Sequence, residues 1–178
     1  MKIIETPISG LLVLEPRVFS DARGFFLETY NEQVFRELGI TERFVQDNQS
    51  HSKKGVLRGM HYQTDQPQGK LIRVLNGEIF DVVVDLRQQS PTFGKWAAER
   101  LSSENKRMLW VPKEFAHGFY TVSDSADVAY KVTEFYAPQL ERTLVWNDPD
   151  VGIAWPLEGE PILSDRDRAG HRLVEYAG

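Results

Sequence analysis

The chain of 178 residues is long enough to form one domain with a buried core, and its 41% hydrophobic and 26% charged residues are ordinary for a soluble globular protein. The formal net charge of −5 at pH 7 argues against a nucleic-acid-binding protein, although it leaves room for a local basic pocket. The absence of cysteine excludes disulfides, thiolate catalysis and thiolate metal sites, and it fits a reducing compartment.

The amino-terminal stretch contains one short apolar run, which Glu5, Pro7 and Gly10 interrupt. This pattern does not match a signal peptide, and no segment approaches the ~18 apolar residues that a membrane-spanning helix needs. We therefore expect a soluble cytoplasmic protein with no membrane partner. No repeat, low-complexity tract or interdomain linker divides the sequence, so we expect a single domain over residues 1–178.

Short runs with the composition of β-strands dominate the chain. In chain order they cover residues 11–14, 24–30, 44–48, 56–63, 70–75, 78–87, 96–101, 108–111 and 127–136. Between two of these runs, Asn76-Gly77 predicts a two-residue β-hairpin. In the run 78–87, Asp81 and Asp85 fall on one face, and alternate apolar residues form the other: Phe80, Val82, Val84 and Leu86.

Helices are expected at only two places. Asn31 is a good N-cap for a helix that continues through Leu38 and stops at Gly39, and short helical turns are expected in residues 156–170. Many short strands in one domain of this size indicate an all-β sandwich or barrel, and a jelly roll with a few short helices is the form that we favour.

The segment LRGMHYQ places His61 three residues after Arg58 in an otherwise apolar strand. A lone histidine on a strand is more often a hydrogen-bonded structural residue than a metal ligand or a base. By the same default, Tyr130 is a core tyrosine and Asp167 belongs to a solvated charged turn. Further polar groups stand at strand ends, however, in the segments DARGFF, QDNQS, GKLIRV and PKEFAHGFY. Together these groups favour a functional site.

A metal site is the first alternative for His61. A barrel metal site usually draws two histidines from one strand at His-x-His spacing, whereas this strand reads His61-Tyr62-Gln63. A site built from His61, His117 and a carboxylate is conceivable, but the spacing lends it no support. We therefore expect metal-free chemistry.

The strand geometry restricts how Arg58 and His61 relate to each other. In a regular strand these two residues lie on opposite faces. Both side chains point into the interior only if the strand bulges, and Gly59 lies between them, where a bulge is easiest.

The motifs resemble one family when they are taken together. The segments DARGFFLE, QDNQS, LRGMHYQ, QGKLIRV, FDVVVDLR..SPTFGKW, PKEFAHGF, AYKVTEFY and LSDRD occur in the order and at about the spacing found in the dTDP-4-dehydrorhamnose 3,5-epimerase family. The resemblance covers about residues 4–170. It implies a metal-free cupin-type jelly roll without a cofactor, usually a homodimer, that acts on a dTDP-sugar in dTDP-L-rhamnose biosynthesis.

The resemblance also implies roles for individual residues. His61 matches the catalytic base, Tyr130 the proton donor, Asp167 the carboxylate paired with the histidine, and Lys70 a lysine near the keto oxygen of the sugar. Further positions match substrate contacts: Arg23, Glu28, Gln46, Asp47, Asn48, Arg58, His117 and Glu141.

Three aromatic residues and one arginine complete the predicted substrate site. Tyr136 matches an aromatic residue that stacks on thymine. Phe25 and Phe26 offer further aromatic faces, from the same or a neighbouring subunit, with core packing as the alternative for one of the two. Arg166 stands where the family typically has lysine, and the forked guanidinium is not equivalent to a point charge.

The residue types suit the implied reaction, which inverts C3 and C5 of a 4-keto-6-deoxy sugar. Both carbons lie next to the C4 carbonyl, so the reaction needs a base, a group that stabilises the enolate and an acid on the opposite face. Histidine is a suitable base, and Asp167 would set its tautomer. Lys70, with or without Arg58, suits the enolate oxygen, and tyrosine is a better acid than base at pH 7.

Two other interpretations of the sequence stay open. A relative that epimerises one carbon, or that acts on another 4-keto sugar nucleotide, would keep the same base and acid. A non-catalytic binding protein or a metal-dependent cupin is a different class of protein. The combination of His61, Tyr130 and Asp167 counts against the binding protein, and the missing His-x-His pair counts against the metal enzyme.

Overall fold

The computed structural model describes residues 1–176, and most of its regular structure is antiparallel β-strand. In chain order the strands are β1 (Lys2–Glu5), β2 (Leu12–Glu15), β3 (Val18–Asp21), β4 (Gly24–Leu27), β5 (Gln46–Lys53), β6 (Leu57–Gln63), β7 (Lys70–Asn76), β8 (Glu78–Asp85), β9 (Trp96–Ser102), β10 (Met108–Val111), β11 (Phe115–Thr121), β12 (Ser125–Val132) and β13 (Glu141–Thr143). The helices are α1 (Glu32–Glu37) and α2 (Asp165–Arg168), and a 3-10 turn follows at Leu173–Glu175.

Two large sheets and a separate hairpin contain these strands. The six-stranded sheet has the order β1-β2-β10-β7-β12-β5, and the five-stranded sheet has the order β13-β6-β11-β8-β9. Strands β3 and β4 pair only with each other among the described strands. The predicted all-β sandwich with a few short helices is confirmed.

The main core lies between the two sheets. Both sheets contribute buried side chains to it, among them Val13, Ile72 and Val128 from the six-stranded sheet and Ile79, Val83 and Phe115 from the five-stranded sheet. A second cluster on the other face of the five-stranded sheet includes the predicted stripe from Phe80 to Leu86 and is covered by Trp155 and Leu173. Because both faces of β8 are covered, Asp81 and Asp85 are fully buried rather than solvated.

The predicted hairpin at Asn76-Gly77 is wrong. Strand β7 belongs to the six-stranded sheet and β8 to the five-stranded sheet, so the turn is a corner between sheets. Gly77 has a φ of +78°, and a Cβ there would lie 2.0 Å from the carbonyl oxygen of Ser125. The Asn-Gly pair correctly indicates a residue with positive φ. A turn that connects two sheets can require this conformation just as a hairpin does, so the pair does not distinguish the two.

The predicted helices are confirmed. The Asn31 side chain accepts hydrogen bonds from the backbone N–H groups of Gln33 (3.0 Å) and Val34 (3.3 Å), so it caps α1 as expected. Helix α2 is the helical turn expected in the last segment, and Ser164 caps it. Neither helix in residues 1–176 is long and apolar enough to span a membrane.

Strand β11 was not predicted, because its seven residues are all buried and show no alternation. It lies in the middle of the five-stranded sheet and pairs with β6 on one side and β8 on the other. Strand β5 extends to Lys53, beyond the predicted end at residue 48. The prediction stopped early because polar residues occupy both faces of this strand, so that its sequence shows no apolar alternation. These two strands supply a large part of the site.

Candidate active site

A cavity of about 370 Å³ opens between the two sheets and contains most of the residues predicted for the site. The six-stranded sheet contributes Gln46, Asn48, Lys70 and Tyr130, and the five-stranded sheet contributes Arg58, His61, His117 and Glu141, while Tyr136 lines the same cavity from the segment after β12. The two sheets therefore place His61 and Tyr130 in opposite walls of one cavity.

A bulge in β6 turns both Arg58 and His61 towards this cavity, and it lies at Gly59, where the sequence indicated that a bulge would be easiest. His61 pairs with His117 across the two strands, but Arg58 pairs with Phe119, so two residues of β6 lie opposite Gly118. A Cβ on Gly59 would lie 2.7 Å from the Cα of Gly118, which means that only glycine allows the backbones to approach so closely.

His61 and Asp167 form a hydrogen-bonded pair. His61 Nε2 lies 2.6 Å from Asp167 Oδ1, and the side chains are 28% and 4% exposed. Burial by itself would raise the pKa of Asp167, but the hydrogen bonds from His61, from the Ser164 hydroxyl (2.7 Å) and from the backbone N–H of Gly59 (3.2 Å) lower it overall. Asp167 is therefore a carboxylate, and it orients the ring so that Nδ1 is the nitrogen without a partner among residues 1–176.

Lys70 lies at the buried end of the cavity. Its Nζ donates to the carbonyl oxygen of His61 at 3.4 Å. Burial lowers the pKa of Lys70 to about 8, although the carboxylates of Glu141 and Asp81 oppose this shift. An ammonium group in such an environment is a strong electrostatic partner for an oxyanion.

Tyr130 lies across the cavity on β12. Burial raises the pKa of its hydroxyl, the charge of Arg58 lowers it, and Glu141 and Tyr136 raise it further, so that the net shift is upward. The hydroxyl is therefore protonated at neutral pH, which is the state that a proton donor needs.

His117 has a buried partner that was not predicted from the sequence. His117 Nε2 lies 2.9 and 3.0 Å from the two carboxylate oxygens of Asp81, which is fully buried on β8. Burial raises the pKa of Asp81, and His117 and Lys70 oppose that shift. The available signal was a carboxylate within a strand whose neighbours on both sides are apolar, which predicts a buried partner rather than a solvated face.

A polar cluster lies at the mouth of the cavity. The Tyr136 hydroxyl donates to Glu141 Oε2 at 2.6 Å, and the Arg166 guanidinium donates to the same carboxylate. The backbone N–H of Tyr136 donates to the Gln46 side chain at 3.2 Å, and the Gln46 amide donates to Asn48 at 2.8 Å. Arg166 lies on α2 and is half-exposed, so the mouth carries a cation next to an aromatic ring.

Four of the predicted substrate contacts lie away from this cavity. Asp47 points to the opposite face of β5 and pairs with Lys131 at 2.8 Å. Arg23 pairs with Asp21 on the β3–β4 hairpin, Phe26 on the same hairpin is 69% exposed, and Glu28 accepts from the Asn31 amide at 3.1 Å. Their roles as substrate contacts of this chain's own cavity stay predictions.

The histidine and carboxylate side chains of the cavity are not arranged as a metal site. Within residues 1–176, no cluster of three or more histidine or carboxylate side chains is arranged to hold a metal ion. His61 and His117 are each bonded to one carboxylate, in two separate pairs.

The sequence was compared with known families and proteins. The family described as dTDP-4-dehydrorhamnose 3,5-epimerase matches residues 5–175. A protein of that name from Pseudomonas aeruginosa is 56% identical over 176 residues, which are 98% of this chain and 97% of that protein. Another, from Neisseria gonorrhoeae, is 54% identical over 170 residues; the alignment covers 96% of this chain but 52% of that protein, so this chain spans about half of its length.

The fold was compared with solved structures. The crystal structure of dTDP-6-deoxy-D-glucose-3,5-epimerase from Legionella pneumophila in complex with dTDP-4-keto-L-rhamnose superimposes with a TM-score of 0.96 and 52% sequence identity. The match covers 98% of this chain and 93% of that one. The matches in sequence and fold agree over nearly the whole chain, and this chain belongs to the dTDP-4-dehydrorhamnose 3,5-epimerase family.

Proposed function

We propose that this chain converts dTDP-4-dehydro-6-deoxy-D-glucose into dTDP-4-dehydro-L-rhamnose by epimerisation at C3 and C5, a step of dTDP-L-rhamnose biosynthesis. The observation that carries the proposal is the cavity itself, in which His61 and Lys70 lie together and Tyr130 lies in the facing wall. These are the base, the enolate stabiliser and the acid that inversion next to a carbonyl requires.

The first step is the removal of a proton from the carbon next to the C4 carbonyl. His61 takes this proton on Nδ1, because Nε2 is bonded to Asp167. The electron pair of the broken C–H bond moves into the enolate, and the negative charge develops on the C4 oxygen. The ammonium group of Lys70 stabilises that oxygen, and the carboxylate of Asp167 stabilises the imidazolium that forms.

The second step returns a proton to the same carbon from the other face. The Tyr130 hydroxyl donates this proton, the enolate collapses to the ketone and the configuration is inverted. His61 then loses its proton to solvent and the Tyr130 phenolate gains one. The same sequence at the second carbon completes the reaction. No cofactor takes part in either step, because every proton and electron pair is accounted for.

The nucleotide is held at the mouth of the cavity. Arg58 and Arg166 are cations suited to the diphosphate, and Tyr136 offers an aromatic face to the thymine. In the free protein Arg166 is bonded to Glu141, and the diphosphate would take over part of this contact. Gln46 and Asn48 provide amide groups for the base or the sugar.

We further propose that the chain acts as a homodimer in which the β3–β4 hairpin reaches the cavity of the partner subunit. Phe19, Phe25 and Phe26 are all exposed on this hairpin, and an exposed apolar patch of this kind is typical of a contact surface between proteins. Arg23 and Phe26 do not line the cavity of the subunit to which they belong. In a homodimer they would contact the substrate bound in the cavity of the partner subunit.

The test is incubation with dTDP-4-dehydro-6-deoxy-D-glucose in D₂O, followed by NMR spectroscopy of the sugar. We expect deuterium at C3 and C5 and formation of dTDP-4-dehydro-L-rhamnose. Deuterium at one carbon only would show a single-carbon epimerase, and no exchange at either carbon would refute the proposal. A His61→Ala variant serves as the control, since it should lose exchange at both carbons and still bind dTDP.

A further inference from the structure

Asp81 is a buried carboxylate that the proposed reaction leaves without a role. It lies on β8 with no exposed surface, and both of its oxygens contact His117 Nε2, at 2.9 and 3.0 Å. Within residues 1–176 no other group donates a hydrogen bond to Asp81. The side chain has therefore only one hydrogen-bonding partner, and that partner lines the cavity.

The contact with Asp81 determines which ring atom of His117 faces the cavity. The carboxylate occupies Nε2, and Nδ1 has no hydrogen-bond partner in the described residues. The only enclosed side-chain atoms without a partner in this part of the chain are Ser50 Oγ and Thr121 Oγ1, so Nδ1 of His117 keeps some accessible surface, and His117 lines the cavity. His117 lies directly across from His61 in the neighbouring strand, and both side chains line the same cavity.

The carboxylate of Asp81 is fully buried, and His117 is the side chain that it contacts. An ionised carboxylate without solvent contact is stable only when it is paired with a positive charge, and His117 is the group in contact with it. Lys70 is close enough for its charge to lower the pKa of Asp81, although the two groups form no ion pair. With both His117 and Lys70 protonated, the three groups have a net charge of +1, which complements an enolate oxygen.

We propose that Asp81 is a positioning residue that holds His117 as an imidazolium, with Nδ1 towards the substrate, so that His117 joins Lys70 in stabilising the enolate oxygen. Asp81 itself never touches the substrate. The inference rests on the proposed epimerase reaction, but its central claim, the charge state of His117, is a property of the free protein.

The first experiment is NMR spectroscopy of the ¹⁵N-histidine-labelled free protein at pH 7. The resonances of His117 are assigned by comparison with a His117→Asn variant. We expect both ring nitrogens of His117 to be protonated in the unsubstituted protein. A neutral ring with an unprotonated Nδ1 would overturn the proposal, whether or not the protein is an active epimerase.

The second experiment is kinetic analysis of Asp81→Asn. The amide is a poorer partner for the imidazolium, so we expect kcat to fall about 10²-fold, as when one oxyanion donor is lost. The Kd for dTDP should stay within twofold of the original value, because Asp81 does not contact the nucleotide. An unchanged kcat, or equal losses of kcat and dTDP affinity, would show that Asp81 is structural.

Asp85→Asn is the matched control. Asp85 is also a fully buried carboxylate of β8, but its partners are Arg87, Ser90 and Thr92, outside the cavity. This variant should lose stability and keep the kcat of the folded enzyme and the NMR signals of His117. If Asp81→Asn does not fold, the spectrum of the unsubstituted protein still decides the charge state. Failure of the unsubstituted protein to exchange deuterium refutes the function and leaves that spectrum interpretable.

Discussion

Two histidine–carboxylate pairs lie side by side on neighbouring strands, and each uses Nε2 for the carboxylate. His61 is paired with Asp167 from α2, and His117 is paired with Asp81 from β8. The His61 side chain is more than twice as exposed as that of His117, at 28% against 11%. The more exposed ring suits a base that must return its proton to solvent, and the more enclosed ring suits a fixed electrostatic role.

The role of Asp167 predicts the behaviour of Asp167→Asn. Loss of the carboxylate removes the group that orients His61 and stabilises its charged form, so kcat should fall by about 10²- to 10⁴-fold with little change in the Kd for dTDP. Asp165→Asn, an exposed position on the same helix, is the control and should retain full activity. Steady-state kinetics and dTDP titration give both quantities, and a variant with most of its kcat intact would exclude the proposed pair.

The environment of Lys70 predicts a loss of activity at alkaline pH. Burial lowers the pKa of Lys70 to about 8, so the ammonium group is present below that pH and is lost above it. Because the enolate needs the positive charge, kcat/KM should decline as pH rises through about 8. A Lys70→Met variant should be much less active and should lack this decline. A profile that stays level to pH 10 would contradict the role of Lys70.

At the scale of secondary structure, the site depends on the close approach of β6 and β11. Gly59 and Gly118 lie against each other at the bulge, and a Cβ on Gly118 would be 2.6 Å from the carbonyl oxygen of Arg58 and 2.7 Å from Met60 Sδ. This contact sets the spacing of the strands that carry His61 and His117. The position of both histidines therefore depends on two residues that have no side chain.

Gly118→Ala should consequently reduce both stability and activity. The methyl group has no space, and overpacking of this kind costs about 1–3 kcal/mol of the free energy of unfolding. Thr121→Val on the same strand is the control. Thr121 is fully buried and its Oγ1 has no hydrogen-bond partner within residues 1–176. The substitution should therefore leave the free energy of unfolding unchanged or raise it, and it should leave kcat unchanged. Urea unfolding and kcat measure both variants, and equal stability of Gly118→Ala and the unsubstituted protein would contradict the close approach.

At the scale of the whole molecule, the β3–β4 hairpin has no partner strand in the described chain. Phe25 and Phe26 are 58% and 69% exposed, and the cation of Lys106 lies 4.0 Å from the ring of Phe25. An isolated two-stranded hairpin with an exposed aromatic face is only marginally stable in water. Its apolar surface is consistent with the proposed contact with a second subunit.

A subunit complementation experiment tests this arrangement. The Arg23→Ala/Phe26→Ala variant retains its base, and His61→Ala retains its hairpin, and each homodimer alone should have low activity. A mixed dimer, obtained by coexpression with two different tags, should recover about half of the original activity, because one of its two cavities has both an intact base and an intact hairpin. No recovery would show that the hairpin does not serve the partner's cavity, and a monomeric protein in analytical ultracentrifugation would exclude the dimer itself.

The local pattern of the sequence was sufficient for several elements. Asn31 and Gly39 delimit α1 because capping depends on residues within one turn of the helix. The bulge at Gly59 followed from the alternation of β6, which places Arg58 and His61 on the same side only with an extra residue. The family, and with it the candidate residues of the cavity, followed from the order and spacing of eight motifs. No single motif was specific enough to identify the family.

The tertiary structure decided what depends on contacts between distant segments. Strand β11 has no alternation because both of its faces are buried, and the turn at Gly77 joins two sheets because strand pairing is set by packing across the core. Asp81 became a partner of His117 only when β8 and β11 were placed side by side. The sequence by itself determined the fold class, the family and the candidate chemistry, which reside in local periodicity and residue type. The pairing of each histidine with its carboxylate depended on contacts between segments far apart in the chain. The same contacts decided which predicted site residues lie outside the cavity.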